Sequence, residues 1–224
     1  MLDIDKIYCG DCIELMKEID DNSVDLIVTD PPYLISYKTN YRIDKTHSFC
    51  SEIENDNNPE MIMKYIQECY RILKPDSAMY LFCSPNTVEI FKNELNKSFT
   101  IKNMIIWVKN NWTAGDLKGA FGKQYEIIFL VNKGRKLLQQ SPRLTDVWFF
   151  DRVAGKKQLH QNEKPIDLLE RCILYHSQKN DIVFDGMCGS GTTCIAAKNL
   201  NRHYIGMDIS EEYCKISRTR LLEL

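Results

Sequence analysis

Four consecutive residues, Asp30-Pro31-Pro32-Tyr33, follow the apolar run Val24-Asp25-Leu26-Ile27-Val28-Thr29 without a break. That run reads as a buried strand. It places the Asp30 carboxylate at the strand's carboxyl end, the edge at which open α/β sheets bind ligands. Pro31 and Pro32 cannot extend a hydrogen-bonded ladder, and each fixes its own φ. The turn is therefore stiff, and it presents the Asp30 carboxylate, the Pro32 carbonyl and the Tyr33 ring as one unit. The exocyclic amine of a nucleobase needs such a set: two acceptors for its two N–H groups and an aromatic face for its ring. An amine held in this way can attack a methyl sulfonium in line. The plainer alternative is a strand-ending turn with a packed tyrosine.

A second constellation runs from Val183 through Phe184, Asp185, Gly186, Met187, Cys188, Gly189, Ser190 and Gly191 to Thr192 and Thr193. A strand enters a tight turn there and a helix leaves it. Gly189 and Gly191 carry no Cβ, so backbone at these points can come close to a ligand. Asp208 ends the strand that follows, where an acid accepts hydrogen bonds from a ribose diol. The succession of strand, glycine turn, helix, strand and acid fits an adenosine-containing cofactor. It does not choose between NAD and S-adenosylmethionine, so an NAD-dependent oxidoreductase stays open at this point. Gly189 and Gly191 also suit an ordinary turn, and Asp208 a helix cap.

The elements that must hold these residues alternate along the chain, which is the pattern of an α/β domain. Helical spacing of Met61, Ile62, Tyr65, Ile66, Cys69, Ile72 and Leu73 predicts a helix over 60–73, with Pro75 just beyond it as a stop. Strands are predicted at 78–83, 104–108 and 126–131, and a helix at 86–96. A helix over 165–175 begins at Pro165. Strands at 181–185 and 203–208 flank the helix through Ala196, Ala197 and Leu200, and Ser210 is placed to cap the last helix. Residues 34–59 and 110–124 are polar and irregular. Trp107 and Trp148 are assigned to the core rather than to base stacking.

The chain has 224 residues, enough for one sizeable core, and shows no repeat or long linker. No apolar run reaches the eighteen or so residues of a membrane span. The polar, acidic opening Met1-Leu2-Asp3-Ile4-Asp5-Lys6 is unlike a secretory signal. Nine scattered cysteines fit reduced thiols in the cytoplasm. Cys9 and Cys12 form one Cys-x-x-Cys pair, but neither a second pair nor a nearby histidine supports a metal site. The net charge of −2 does not advertise a nucleic-acid partner, yet the charge is uneven. Residues 1–30 hold nine acids and two bases, whereas residues 133–164 hold eight bases and three acids. The basic stretch suits either phosphate contact or a solvated face.

Taken together, the motifs resemble those of DNA adenine-N6 and cytosine-N4 methyltransferases over almost the whole chain, from about residue 5 to 222. Residues 23–33 resemble their motif IV; His160-Gln161-Asn162-Glu163-Lys164-Pro165 resembles motif X; Asp185 to Thr193 resembles motif I; and Ile205-Gly206-Met207-Asp208 resembles motif II. The catalytic motif precedes the cofactor motif, as in the permuted β class. In that order Tyr8-Cys9-Gly10-Asp11-Cys12 corresponds to motif III.

The resemblance implies a single doubly wound α/β domain. Its sheet is the mostly parallel, Rossmann-like methyltransferase sheet, with one antiparallel strand and helices on both faces. The implied cofactor is S-adenosyl-L-methionine, leaving as S-adenosyl-L-homocysteine. Asp11, with Cys12 beside it, would meet the cofactor's adenine amine. Asp30, Lys164, Asp185, Met187, Cys188, Gly189, Ser190, Gly191, Thr192 and Asp208 complete the implied cofactor site. The implied substrate is double-stranded DNA, with the target base flipped out of the duplex. Asp30 in first place favours adenine, because motifs beginning with serine are more typical of the cytosine-N4 group. Asparagine in first place is usual for RNA or protein substrates.

Target recognition would fall to residues 132–159. Lys133, Arg135, Lys136, Arg143, Lys156 and Lys157 are assigned there to phosphates and Arg152 to a base edge. The segment 34–59 is expected to be a mobile loop over the flipped base. The implied setting is a bacterial cytoplasm, with the chain host- or phage-encoded, as in restriction–modification. A monomer or homodimer is expected, with no metal and no membrane. Two departures stand out. The family's motif I usually reads Asp-Pro-Phe where this chain has Asp185-Gly186-Met187, and Gln161-Asn162 stand where Pro-Thr is usual. There is no Pro-Cys dipeptide, the nucleophile motif of cytosine-C5 enzymes, so direct transfer is implied and no cysteine need be catalytic.

Overall fold

A computed structural model describes residues 2–35, 56–112, 118–153 and 163–224. Among them the chain forms β1 (Lys6–Cys9), α1 (Cys12–Met16), β2 (Val24–Thr29), α2 (Pro59–Ile72), β3 (Leu73–Cys83), α3 (Val88–Leu95) and β4 (Thr100–Val108). It continues with β5 (Tyr125–Lys133), β6 (Val147–Phe149), α4 (Ile166–His176), β7 (Ile182–Asp185), α5 (Thr192–Asn199), β8 (His203–Asp208) and α6 (Glu211–Leu222).

The strands join in one sheet of order β1-β8-β7-β2-β3-β5-β4-β6. Every neighbouring pair is parallel except those made by β5, which runs antiparallel to both β3 and β4. One reversed strand in a parallel sheet is the arrangement that the family resemblance implies.

Side chains alternate across the strands and build two cores. On one face Leu26 and Val28 of β2, Tyr80 and Phe82 of β3, and Ile128 of β5 pack with Leu168, Ile173, Ala196 and Leu221 of α4, α5 and α6. On the other face Ile27, Met79, Leu81 and Phe129 pack with Met16, Tyr65, Ile66 and Phe91 of α1, α2 and α3. Trp107 and Trp148 are buried in the first of these cores, as expected.

The connections from β2 and β7 leave in opposite directions. β2 leads through α2 to β3 on one side, and β7 leads through α5 to β8 on the other. β2 and β7 are themselves hydrogen-bonded neighbours, with Ile27 opposite Phe184. Their carboxyl ends therefore flank the switch point of the sheet, where a crevice opens.

Three elements were not anticipated from sequence. β1 is four residues long and opens on Lys6, α1 is little more than one turn, and β6 is a three-residue edge strand inside the basic stretch. The end of α2 also differs from expectation. The helix passes into β3 with no loop, because Leu73 already pairs with Val24. Residues 74–77 then arch away from β2, with Ser77 already paired to Lys133 of β5, before pairing with β2 resumes at Leu26 and Ala78. Asp76 in the arch is left-handed (φ 54°), and its side chain accepts the Arg135 N–H at 2.7 Å.

Candidate active site

Asp30 stands directly after β2, and Tyr33 folds back over it. The turn is held from outside: the Thr87 hydroxyl donates to the Tyr33 carbonyl at 2.7 Å. Leu34 follows at φ 59°, a conformation that costs a side-chain-bearing residue about 1 kcal/mol. Tyr33 and Lys164 meet at Asp30, and through them Glu126 and Lys109 join the cluster. The Tyr33 hydroxyl lies 2.7 Å from both Asp30 Oδ1 and Glu126 Oε2. Its single proton can serve one of them at a time. Lys164 Nζ donates to Asp30 Oδ2 at 2.5 Å and stands 3.4 Å from Glu126 Oε2. Lys109 Nζ holds the other Glu126 oxygen at 3.0 Å.

Burial and charge separate the two carboxyls. Burial pushes the Asp30 carboxyl above its ordinary value, with the Lys164 charge pulling the other way. Glu126 feels burial too, but two lysines overcome it and bring its pKa down to about 2. Glu126 is thus a fixed anion, and Asp30 is the carboxyl that takes a proton more readily. For Lys164, burial favours the neutral amine, and Asp30 and Glu126 outweigh it to keep the ammonium.

The neighbouring strand end carries Asp185, 3% exposed. Thr29 and Thr193 donate their hydroxyls to its two oxygens at 3.0 and 2.7 Å, and the Met187 N–H reaches Oδ1 at 3.2 Å. Burial raises its pKa from 3.8 to about 7. A carboxyl of this kind binds its proton more tightly folded than unfolded. Its stabilising contribution is therefore full below about pH 4 and is lost as pH rises towards 7, by up to about 4 kcal/mol. Asp185→Asn has no such titration. Measured by urea unfolding without cofactor, the variant is expected to gain on the parent between pH 5 and pH 8; a constant difference would contradict the assignment.

The departure at residue 186 has a physical cause. A Cβ on Gly186 would come within 2.6 Å of Tyr65 Cε2 and 2.8 Å of its hydroxyl. That hydroxyl accepts the Gly186 N–H at 3.2 Å and sits 2.7 Å from Thr29 Oγ1. Tyr65, on α2, thereby links the glycine turn to the residue just before Asp30.

A cleft between these strand ends is lined by Asp30, Lys164, Asp185, Met187, Gly189 and Ser190 among others. Gly189 and Gly191 have φ of 51° and 80°. The room left by Gly191 faces Ser217 of α6, whose Cβ would lie 2.8 Å from an added methyl, rather than the cleft. The Asp208 carboxylate accepts the N–H groups of Gly189 and Ser210 at 2.8 and 2.9 Å. Asp11 caps α1 through the N–H groups of Ile13 and Glu14. It reaches the same edge, since its neighbour Gly10 donates to the Asp208 carbonyl. Cys12 is partly buried against the second core, which pushes its thiol up to about 12. Among the described residues no group of three His, Cys, Asp or Glu side chains could hold a metal ion.

This cleft suits an adenosine-bearing sulfonium. It offers positive-φ glycine backbone, the carboxyls of Asp30 and Asp185 at two neighbouring strand ends, and apolar Met187.

Sequence reading missed several supporting residues. Glu126 and Lys109 come from β5 and the end of β4. Arg220 of α6 spans the cleft wall, pairing with Glu163 at 3.0 Å and donating to the Ser190 carbonyl at 2.7 Å. The Ser217 hydroxyl donates to the Gly189 carbonyl at 2.7 Å. Ser217 and Arg220 are three apart on one helix, a spacing that marks a shared face and is the one signal the sequence held.

The basic stretch is divided between the two ends of the sheet. Because β5 is antiparallel, Lys133 pairs with Ser77 at the far end of the sheet from Asp30. Its ammonium donates to Asn22 Oδ1 and to the carbonyls of Tyr70 and Leu73 at 2.7–2.8 Å, closing the end of α2. In the structure the Lys133 ammonium caps this helix end, away from Asp30. Arg135 lies beside the Asp76 arch at the same end. Lys136 stays near this end, its carbonyl accepting the Asn132 amide at 3.3 Å, and burial first, then the Lys136 charge, bring His176 at the carboxyl end of α4 down to about 4. Arg143 follows Pro142, whose carbonyl accepts the Tyr175 hydroxyl at that helix end. Arg152 alone of the described set reaches the catalytic edge, its N–H 3.4 Å from Asn110 Oδ1. Lys156, Lys157, His160 and most of the 34–59 segment lie outside the described residues.

Comparison with known proteins adds three kinds of likeness. A family model described as DNA methylase, covering N6 and N4 enzymes, matches residues 24–219. The DNA adenine methyltransferase YhdJ of Escherichia coli K12 is 30% identical, over 96% of this chain and 82% of its own length. The crystal structure of M1.HpyAVI with SAM aligns at a TM-score of 0.68 and 28% identity, covering 96% of this chain and 98% of that one. The cytosine-N4-specific PvuII DNA methyltransferase shares the fold at a TM-score of 0.78, with 17% identity over 96% of this chain and 85% of its own.

Proposed function

This chain belongs to the N6/N4 DNA methylase family, a DNA methyltransferase that uses S-adenosylmethionine, and from that premise we propose that it methylates the N6 amine of adenine in double-stranded DNA. The oxidoreductase alternative has no use for Asp30 to Tyr33 and falls away with the family match. When bound, S-adenosylmethionine supplies an electrophilic methyl group. Asp11 and Asp208 would hold its adenosine part, and the backbone of residues 187–191, with Lys164, its other end.

The observation that carries the proposal is the position of Asp30. It ends β2 at the head of the cleft, within a buried set of two carboxyls, two lysines and a tyrosine. A target base flipped from the duplex would present its amine to Asp30 and to the Pro32 carbonyl, with Tyr33 against the ring. Both Asp30 oxygens are engaged in the structure, by Tyr33 and by Lys164. Glu126 Oε2 lies within reach of both donors and receives them as the amine takes their place on Asp30. Asp30 then orients and polarises the amine, and positioning in a dry site supplies most of the barrier reduction. Within residues 132–159, recognition is assigned to the part around Arg152, which reaches this edge.

The test is nucleoside analysis by mass spectrometry after incubating the protein and S-adenosylmethionine with DNA from a methylation-free host. N6-methyladenine is the expected product. N4-methylcytosine as the sole product overturns the adenine assignment, and no methylated base overturns the activity.

A further inference from the structure

The connection between β4 and β5 carries two exposed aromatic side chains that neither core explains. Phe121 is fully exposed, and Trp112 is 67% exposed. Trp112 is braced on backbone: a Cβ on Gly122 would lie 2.5 Å from its Cδ1. The feet of the connection are rigid. Lys109 and Gln124 exchange backbone hydrogen bonds with each other's main and side chains at 2.8 and 2.9 Å. One step below, the Lys109 ammonium meets Glu126, which belongs to the Asp30 cluster. The aromatic pair therefore rises from the edge of the sheet that carries the catalytic carboxyl. Lys118 and Lys123 flank Phe121 in sequence, against one acid, Asp116. Lys123 is tied to Asn86 across the edge, and Arg152 is anchored at Asn110.

We infer that the described part of this connection, residues 109–112 and 118–124, is a DNA-contacting wedge: Phe121 and Trp112 pack on the bases beside the displaced one, and Lys118 and Lys123 meet the neighbouring phosphates. The inference rests on DNA being the substrate. Aromatic residues interleaved with cations suit a nucleic acid, because rings stack on bases at about 1–3 kcal/mol each while cations neutralise the backbone. Apolar wedges also stabilise duplexes whose stacking has been interrupted. A flipped base leaves such an interruption, and the wedge stands next to the place where that base must go. With Lys133, Arg135, Lys136 and Arg143 turned to the other end of the sheet, this edge also holds the cations best placed to guide a duplex.

The experiment uses the full chain. Methyl transfer is measured on DNA from a methylation-free host, cofactor affinity by calorimetry, and affinity for a fluorescein-labelled mixed-sequence duplex over a range of salt. Phe121→Ala, fully exposed and safe for folding, is expected to lower kcat/KM for DNA by about tenfold or more, with cofactor affinity within about twofold of the parent. Its salt slope should be unchanged, whereas Lys118→Gln and Lys123→Gln should each reduce the slope by about one. Transfer by Phe121→Ala and by Phe121→Ala/Trp112→Ala within about twofold of the parent overturns the wedge. So does a parent dimer, seen by light scattering, that Phe121→Ala breaks while DNA kinetics stay unchanged, since a second copy would then be the occupant. A parent protein that binds cofactor and duplex but transfers no methyl group refutes the proposed activity instead, leaving the duplex-affinity and salt-slope arms to decide the wedge.

Discussion

Replacing Asp30 by asparagine is expected to slow methyl transfer by about a thousandfold while S-adenosylmethionine still binds. Asparagine keeps the shape and one acceptor oxygen, so the turn from Asp30 to Tyr33 retains its packing. It loses the negative charge, and with it the polarisation of the incoming amine. It also presents an NH2 group that opposes either Lys164 or the amine. The hydrogen bonds that hold the turn in place, from Thr87 to the Tyr33 carbonyl and from Tyr65 to Thr29, do not involve the replaced atoms. Cofactor affinity by calorimetry should therefore stay within a few-fold of the parent. Transfer by the variant within about tenfold of the parent would remove Asp30 from its central role.

Replacing Lys164 by methionine is expected to have the second largest effect, and on two observables. Lys164 is 6% exposed and is shared by Asp30 and Glu126. Taking one member from a buried charge cluster leaves the others uncompensated, at a cost of about 3–5 kcal/mol. For a chain of this length that corresponds to a fall in Tm of roughly 10 °C. The second effect is on the pH profile. Lys164 is the strongest influence opposing the burial that raises Asp30. Without it the Asp30 carboxyl holds its proton to higher pH, so the ionised form that accepts the amine appears later. The acidic limb of the rate profile, at saturating cofactor, should move to higher pH, and raising the pH should recover part of the lost rate. A limb that does not move would mean that Lys164 acts on the cofactor alone.

The sheet was legible because its strands are short apolar runs between amphipathic stretches. His203–Asp208 and the Ser210 cap were expected where they stand. Asp30, Asp185 and Asp208 could be placed at one edge because each closes a strand of the parallel part. The direction of β5 was not legible at its own position, because Glu126-Ile127-Ile128-Phe129-Leu130-Val131 has no polarity an apolar pattern could reveal. That reversal decides the fate of both its ends. It lifts Glu126 into the catalytic cluster, where no motif marked it, and carries Lys133 to the far end, where its sequence neighbours had suggested a phosphate partner. A run of cations contiguous in sequence is thus divided in space. Tyr65 and Arg220 escaped notice for a related reason. Each acts on a motif more than 25 residues away through a contact that periodicity cannot encode.

Residue 186 and residue 65 are not free to change one at a time. Proline at 186 would place ring atoms where the Tyr65 phenol lies and would remove the N–H that the phenol accepts. Loss of the Tyr65 ring with glycine retained would open a hole beneath the turn and take from the Thr29 hydroxyl one of its two partners, leaving it Asp185. In this chain a change at either position alone therefore carries a cost that a paired change would avoid. The shorter motif is one half of a matched pair, and its other half sits on a helix that motif comparison passes over. Grafting the commoner tripeptide into this chain without resizing position 65 would produce a worse enzyme from a more typical sequence.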